Sequence, residues 1–112
     1  MAKRKIFISI PMRGRTDDDI KKDMKSIMKE HYPDDILIDS VINSGTPVKC
    51  LAHSISLMSD ADIVAFAPGW EKARGCKIEL QICKDYGIPY QFILDEGAFI
   101  QTENGDYYKK EK

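Results

Sequence analysis

Residues 62–94, DIVAFAPGWEKARGCKIELQICKDYGIPYQFIL, decide the fold of this chain. The β-branched and aromatic run at 62–67 predicts a buried strand, and the apolar run at 90–94 predicts another. Between them the pattern predicts a helix over residues 74–86, which Gly87 would end as its C-cap. The stretch is therefore a strand–helix–strand unit, and such units build parallel sheets with right-handed crossovers.

The same alternation fills the first half of the chain. Residues 5–10 (KIFISI) and 36–41 (ILIDSV) predict two more strands. We therefore expect one α/β domain over residues 1–112, with a central parallel sheet of four to five strands. The tail at 99–108 differs, because its Asn-Gly dipeptide at 104–105 is a strong hairpin signal. We expect a C-terminal hairpin there, or an extension that packs on a second subunit.

Two further helices are expected between these strands. Thr16 or Asp17 would cap the first, and Pro47 or Val48 would begin the second. Apolar residues at helical spacing predict core-facing stripes at Ile20, Met24, Ile27 and Met28 in the first helix and at Leu51, Ile55 and Met58 in the second.

Composition narrows the classes of function. The chain is 43% hydrophobic and 31% charged, as is usual for a soluble globular domain, and its net charge of −1 gives no general attraction to nucleic acid or to an anionic membrane. Three cysteines without a CxxC pair argue against a disulfide framework and against a structural zinc site. The apolar stretch at 6–11 is too short for a signal peptide or a membrane span, so we expect a cytoplasmic protein.

Three loops are predicted at the carboxyl ends of the strands, where open parallel sheets bind ligands. They span residues 11–16, 42–47 and 68–75. The first contains Arg13-Gly14-Arg15, in which glycine permits close approach of the backbone and arginine can pair with phosphate oxygens. The same segment could equally be a solvated basic turn. Both the GxxxxGK[ST] and the GxGxxG phosphate motifs are absent.

The third loop leads to the best catalytic candidate, Glu79. Trp70 in this loop either forms a wall over a ligand or packs on its own domain or on a partner subunit. Glu79 lies between Ile78 and Leu80 in a helix where Ile78 and Ile82 are expected to be buried. A carboxylate on a buried face is costly unless it is paired or functional, so Glu79 is either a surface salt-bridging residue or a functional group.

Three segments resemble the nucleoside 2-deoxyribosyltransferase superfamily, namely FISIPMRG (7–14), SDADIVAFAPGWEKARGCKIEL (59–80) and ICKDYGIPY (82–90). The ordered set D-x-V-x-x-x-P-G-W-E, R-G-x-x-x-E and G-x-P carries the resemblance. The chain looks most like the small phage and bacterial branch of that superfamily, and it is also similar to 2′-deoxynucleoside 5′-monophosphate N-hydrolases.

The resemblance implies a flavodoxin-like or Rossmann-like three-layer sandwich, a homodimer or higher homo-oligomer, and cleavage of an N-glycosidic bond without metal or cofactor. It implies that Glu79 attacks the anomeric carbon and that Arg13 and Gly14 lie at the sugar-phosphate end. A position near a helix N-terminus is expected to keep Glu79 ionised. His53 or Glu71 could protonate the leaving base.

Three positions differ from the family pattern. Phe7 stands where tyrosine is frequent, Ser54 stands where aspartate is usual, and Ala73 stands where serine or aspartate occurs. Ser54 could still donate a hydrogen bond to a ligand. Asp62, at the start of its strand, is expected to be structural.

The sequence therefore predicts an N-glycosidase acting on a (2′-deoxy)nucleoside 5′-monophosphate, with Glu79 as nucleophile. The alternatives are a nucleoside deoxyribosyltransferase, a non-catalytic nucleotide-binding protein, and an interaction protein that uses the tail. The expected partner is a small-molecule nucleotide or nucleoside. The expected substrate-binding residues are Phe7, Ser9, Pro11, Met12, Arg13, Gly14, Ser54, Pro68, Gly69, Trp70, Arg74 and Gly75.

Overall fold

The computed structural model shows strands and helices in strict alternation up to the last strands. It describes residues 3–12, 14–40, 46–94, 97–101 and 107–109. In chain order the elements are β1 (Lys5–Ser9), α1 (Asp17–His31), β2 (Ile36–Leu37), α2 (Pro47–Met58), β3 (Ile63–Phe66), a single 3₁₀ turn (Trp70–Lys72), α3 (Arg74–Tyr86), β4 (Tyr90–Leu94), β5 (Gly97–Gln101) and β6 (Tyr107–Lys109).

All six strands form one sheet in the order β2-β1-β3-β4-β5-β6. The first four are parallel, and β5 and β6 extend them in antiparallel fashion. The predicted α/β class with a parallel sheet of four strands is confirmed. The antiparallel β5–β6 pair agrees with the predicted hairpin, although its Asn-Gly dipeptide at 104–105 lies outside the described residues. Strand order reverses between β1 and β3, which places a topological switch point at their carboxyl ends.

The two faces of the sheet bury different side chains. Because strand side chains alternate, Ile6, Ile8 and Ile10 point to one face and Phe7 and Ser9 point to the other. The first face packs against α1 through a core that we call the α1-side core, and the second packs mainly against α3 through the α3-side core. The α1-side core includes Ile20, Met24 and Met28, and the α3-side core includes Met58, Val64, Phe66, Cys76, Leu80 and Cys83.

The helix ends follow local chemistry. Thr16 caps α1 because its Oγ1 accepts a hydrogen bond from the Asp19 N–H at 3.1 Å, and Thr46 caps α2 in the same way. Pro47 is therefore the first residue of α2. The helix α3 has no side-chain cap at Ala73 and ends at Gly87, whose φ of 71° is left-handed. The predicted bounds of α3 are confirmed.

The strand β2 is shorter than predicted. Its pairing with β1 covers only Ile36 and Leu37, whereas the sequence predicted a strand over 36–41. The start is fixed by Asp35, which accepts two hydrogen bonds from Arg4, and the last backbone bond to β1 runs from the Ile38 N–H to the Ile6 carbonyl. The apolar pattern predicted that this segment contains a strand. The number of residues that pair depends on the neighbouring strand β1.

Within the described part of the chain, no helix combines the length and the apolar character that a membrane crossing requires.

Candidate functional site

The first and third loops meet above the switch point between β1 and β3. Gly69 begins the 3₁₀ turn with a φ of 89°, and a Cβ placed there would lie 3.6 Å from Pro11 Cγ. The Ala67 N–H donates to the Ser9 carbonyl at 2.9 Å, so the two strands stay paired up to the loops. The segments that sequence analysis placed at the carboxyl ends of β1 and β3 are therefore neighbours.

Glu79 is buried at this junction. Its side chain is 6% exposed, and its Oε1 accepts a hydrogen bond at 2.5 Å from the Oγ of Ser9, which is 1% exposed. Among the described residues, no lysine, arginine or histidine pairs with this carboxyl group. The alternative in which Glu79 is a surface salt-bridging residue is therefore wrong.

The burial of Glu79 follows from the register of α3. The buried positions Cys76, Glu79, Leu80 and Cys83 recur at the spacing of one helical face. Ile78, which was expected to be buried, is 37% exposed, so the inner face is rotated relative to the prediction. The two buried cysteines and Leu80 were the sequence signal that could have placed Glu79 on the inner face.

Burial raises the pKa of Glu79 to about 7, and the hydrogen bond from Ser9 opposes that rise by favouring the ionised form. Glu79 is beyond the first turn of α3, where the helix dipole acts most strongly. The raised pKa is contrary to the expectation that placement near a helix N-terminus keeps Glu79 ionised.

The neighbouring thiols are poor nucleophiles. Burial is the main cause that raises the pKa of Cys76 to about 11 and that of Cys83 to about 12, and the charge of Glu79 contributes to both shifts. The Ser9 hydroxyl also lies close enough to Cys76 to lower its pKa by hydrogen bonding. The thiols of Cys76 and Cys83 are not joined in a disulfide bond. They stay protonated at neutral pH, so Glu79 is the reactive candidate of this cluster.

The first loop holds its arginine against α1. Arg15 donates from Nη1 to the Pro11 carbonyl at 3.1 Å and pairs through Nη2 with Asp23. Gly14 adopts a φ of 76° in the same turn, and Met12 is half-buried against the α1-side core. Arg15 is thus already engaged by a carboxylate, which reduces its availability to a ligand phosphate. Arg13 lies outside the described residues, so its proposed role stays a prediction.

The third loop packs on its own domain through Trp70. The indole stacks on Phe92 with ring centroids 4.9 Å apart and meets Phe66 edge-on at 5.8 Å. Trp70 therefore packs on its own domain, and its role as a wall over a ligand stays a prediction. Arg74 is exposed at the start of α3, and Gly75 is half-buried where α3 approaches Leu51 of α2.

The remaining predicted residues are dispersed. Phe7 is a core residue on the same face as Ser9, while Ser54 is half-buried on α2 and its neighbour His53 is exposed. Whether these residues contact a substrate stays a prediction. Asp62 accepts a hydrogen bond from the Lys5 N–H at 2.7 Å and so ties the starts of two strands together, which confirms its structural role.

A cavity of about 280 Å³ lies on the opposite face of the sheet from Glu79. It lies between α1 and the carboxyl ends of β1, β3 and β4. Among the predicted substrate-binding residues that the structure describes, Pro68 alone lines it. The lining residues are Ile10, Arg15, Asp23, Ser26, Ile27, Glu30, His31, Ala67, Pro68 and Ile93. The sheet separates this cavity from Glu79, so the cavity and the buried carboxyl group are two distinct places in the fold. In the described ranges, no group of three or more His, Cys, Asp or Glu side chains could hold a metal ion.

The fold and the site define a doubly wound α/β protein with a buried carboxyl group at its topological switch point. The chain belongs to the family described as Domain of unknown function (DUF4406), whose model matches residues 4–92. This range contains α1, α2, α3 and the first three parallel strands, and it ends within β4. Comparisons with curated proteins and with solved structures found no match.

Proposed function

We propose that the protein is an N-glycosidase that hydrolyses the N-glycosidic bond of a (2′-deoxy)nucleoside 5′-monophosphate, with Glu79 as the nucleophile. The observation that carries the proposal is a buried carboxyl group, without a cationic partner among the described residues, where strand order reverses. A buried and unpaired carboxyl group is costly to the fold, and groups with such perturbed pKa values are concentrated at functional sites.

The reaction suits a single carboxylate. Cleavage of a glycosidic bond develops positive charge at the anomeric carbon, which a neighbouring carboxylate stabilises. In the proposed first step Glu79 forms an ester bond to C1′ while the C1′–N bond breaks and the base leaves with a proton. Water then attacks C1′, which releases the sugar phosphate and restores the carboxylate. His53 and Glu71, the candidate proton donors, are both exposed.

The protonation state of Glu79 is compatible with this role. With a pKa of about 7, the ionised form of the carboxyl group is accessible at neutral pH. Burial lowers the local dielectric constant, so the attraction between the carboxylate and a cationic sugar is stronger than in water.

The start of α3 is the candidate binding position for the phosphate group of the substrate. Arg74 is exposed at the first position of this helix, and no side chain of the described residues caps the N–H groups of its first turn. Free N–H groups and a nearby guanidinium are a favourable combination for a phosphate group. We infer that the phosphate end of the substrate lies near Arg74, with Arg13 as the second candidate.

Access to the carboxyl group is limited. Because the Glu79 side chain is only 6% exposed, a sugar can reach it only when neighbouring side chains move. We therefore expect substrate binding to be accompanied by a rearrangement around the third loop, and the fluorescence of Trp70, the only tryptophan of the chain, would report it.

The decisive experiment incubates the protein with pooled ribo- and deoxyribonucleoside 5′-monophosphates and measures free base by chromatography. Glu79→Gln preserves the volume of the side chain and an acceptor for Ser9 but cannot form the ester. Asp85→Asn is the matched control, because Asp85 is an exposed carboxylate on the same helix. We expect base release by the wild type and by Asp85→Asn, and a loss of about a thousandfold or more in Glu79→Gln.

Other outcomes separate the alternatives. Transfer of the sugar to a second base added to the mixture would identify a deoxyribosyltransferase instead of a hydrolase. Stabilisation by a nucleotide, by about 1–3 kcal/mol at high ligand excess, without base release would identify a non-catalytic binding protein. If no member of the pool yields free base and none stabilises the protein, the proposal is overturned.

A further inference from the structure

We propose that Ser9 is a positioning residue for Glu79, and that its hydroxyl holds the carboxylate in the orientation in which Oε2 is the attacking oxygen. The inference rests on the proposed function, since it assigns a role within the same reaction. Ser9 donates to Oε1 at 2.5 Å, and among the described residues Oε2 has no hydrogen-bond partner. The two oxygens of Glu79 are therefore not equivalent.

The backbone of Ser9 is fixed on both sides. Ser9 is the last residue of β1 and pairs with Phe66 of β3, and its carbonyl accepts the Ala67 N–H. Its side chain is enclosed in the α3-side face of the sheet, so the hydroxyl cannot turn to solvent. A donor held in this way restricts the rotation of the carboxyl group that it contacts.

Among the described residues, no other strong hydrogen-bond donor contacts the Glu79 carboxyl group. Phe7, two residues earlier on the same face of β1, has no polar group, and β3 presents Val64 and Phe66 on this side. The titratable groups that interact with Glu79 are the thiols of Cys76 and Cys83, both from α3 itself, and thiols are weak donors. Orientation of the carboxylate therefore depends on one hydroxyl.

The same hydrogen bond favours the ionised carboxylate, which is the nucleophilic form. Burial raises the pKa of Glu79 and the Ser9 hydroxyl lowers it. Without the hydroxyl, we expect the pKa to rise above its present value of about 7. Less of the protein would then carry the nucleophile at neutral pH, and that fraction would be less well oriented.

The test compares Ser9→Ala with Ser9→Thr, which restores a hydroxyl, and with Ser9→Cys, which keeps the volume but donates weakly. Ser40→Ala is the matched control, because Ser40 is also a buried serine, 2% exposed, and its hydroxyl has no hydrogen-bond partner among the described residues. A ¹³C NMR titration of the Glu79 carboxyl group in the free protein is the first measurement, and it requires no activity.

In Ser9→Ala and Ser9→Cys we expect a higher pKa of Glu79, and in Ser9→Thr and Ser40→Ala a pKa close to that of the wild type. The second measurement is base release against pH. In Ser9→Ala we expect kcat to fall about tenfold or more at pH 7, KM to change little, and the acidic limb of the profile to move to higher pH.

Failure of this inference is distinguishable from failure of the proposed function. If the wild type releases base and folded Ser9→Ala and Ser9→Cys keep both the pKa of Glu79 and the pH profile, then Ser9 has no positioning role. If the wild type releases no base from any nucleotide, the proposed function is overturned, and the catalytic role of Ser9 with it. If Ser9→Ala does not fold, Ser9→Cys and Ser9→Thr decide the question.

Discussion

The Ser9 hydroxyl and the Glu79 carboxyl group meet at 2.5 Å, although 70 positions separate them in the chain. One comes from the end of β1 and the other from the inner face of α3, so only the assembled sheet and helix bring them together. The hydrogen bond and the burial of Glu79 are thus properties of the folded state. Ionisation of this carboxyl group and folding are consequently linked.

We first predict that stability falls as pH rises through neutrality. Burial raises the pKa of Glu79 from 4.5 to about 7, so the folded state binds this proton more tightly than the unfolded chain does. The resulting stabilisation is fully present below pH 4.5 and is lost as pH rises through about 7. We expect the free energy of unfolding to decrease by roughly 3 kcal/mol between pH 4.5 and pH 8, measured by urea titration.

Glu79→Gln is the control for this dependence, since the amide has no proton to lose in that range. Its stability should be nearly flat where that of the wild type declines. If the unfolding free energies of the two proteins depended equally on pH, Glu79 would ionise in the folded protein as it does in the unfolded chain.

Our second prediction concerns the stack between Trp70 and Phe92. Trp70→Ala removes a half-buried indole whose ring centroid lies 4.9 Å from that of Phe92. We expect a loss of about 2–3 kcal/mol of unfolding free energy, below the range for fully buried aromatic residues because the indole is partly exposed. Circular dichroism in urea gives the measurement, since the fluorescent residue itself is removed. Trp70→Phe should retain more than half of this stability, and equal losses in both variants would argue against stacking.

The third prediction compares Gly69 of the third loop with Gly75 of α3. Gly69 has a φ of 89°, so Gly69→Ala should cost roughly 1–2 kcal/mol of backbone strain. The added methyl group would meet Pro11 at an ordinary 3.6 Å, so the cost comes from the backbone and not from a collision. Gly75 lies in α3, and its Cβ would stand 4.0 Å from Leu51, so Gly75→Ala should be neutral or stabilising by up to about 1 kcal/mol.

Thermal denaturation of both variants tests this contrast. A destabilised Gly75→Ala would mean that α2 and α3 cannot accept a methyl group between them. A stable Gly75→Ala that releases no base would instead indicate that a ligand approaches the backbone there.

The fourth prediction concerns the start of α1. Thr16→Ala leaves the Asp19 N–H without its side-chain acceptor, and we expect a cost of about 1 kcal/mol. Thr16→Ser retains the oxygen and should cost less than half as much. Because α1 alone supplies the helical part of the α1-side core, the loss should be seen in the global unfolding transition. If Thr16→Ala and Thr16→Ser lost the same amount of unfolding free energy, capping would be excluded as the role of this hydroxyl.

Most of the fold could be predicted because its signals are local. The bounds of α3 and β4 follow from apolar periodicity and from Gly87, and the residues that begin α1 and α2 follow from capping chemistry. The length of β2 could not be predicted, because pairing ends where the partner strand stops accepting hydrogen bonds. That limit is a property of two segments and not of the sequence of either.

The candidate site was predictable in part. Resemblance singled out Glu79, and the carboxyl-end rule for parallel sheets singled out its surroundings. Its burial required the exact register of α3, for which Ile78 was a misleading guide and Cys76 and Cys83 were better ones. The contact with Ser9 depends on how α3 is rotated against β1, which no local pattern encodes.

The brevity of β2 has a consequence for self-association. A sheet can recruit strands from other molecules only along margins that offer a run of unpaired backbone N–H and C=O groups. Among the described residues, the first margin is a strand of two residues and the last, β6, is a strand of three. Within these ranges neither strand presents a long template, so we expect the native protein to resist the strand-by-strand stacking that leads to amyloid-like aggregates.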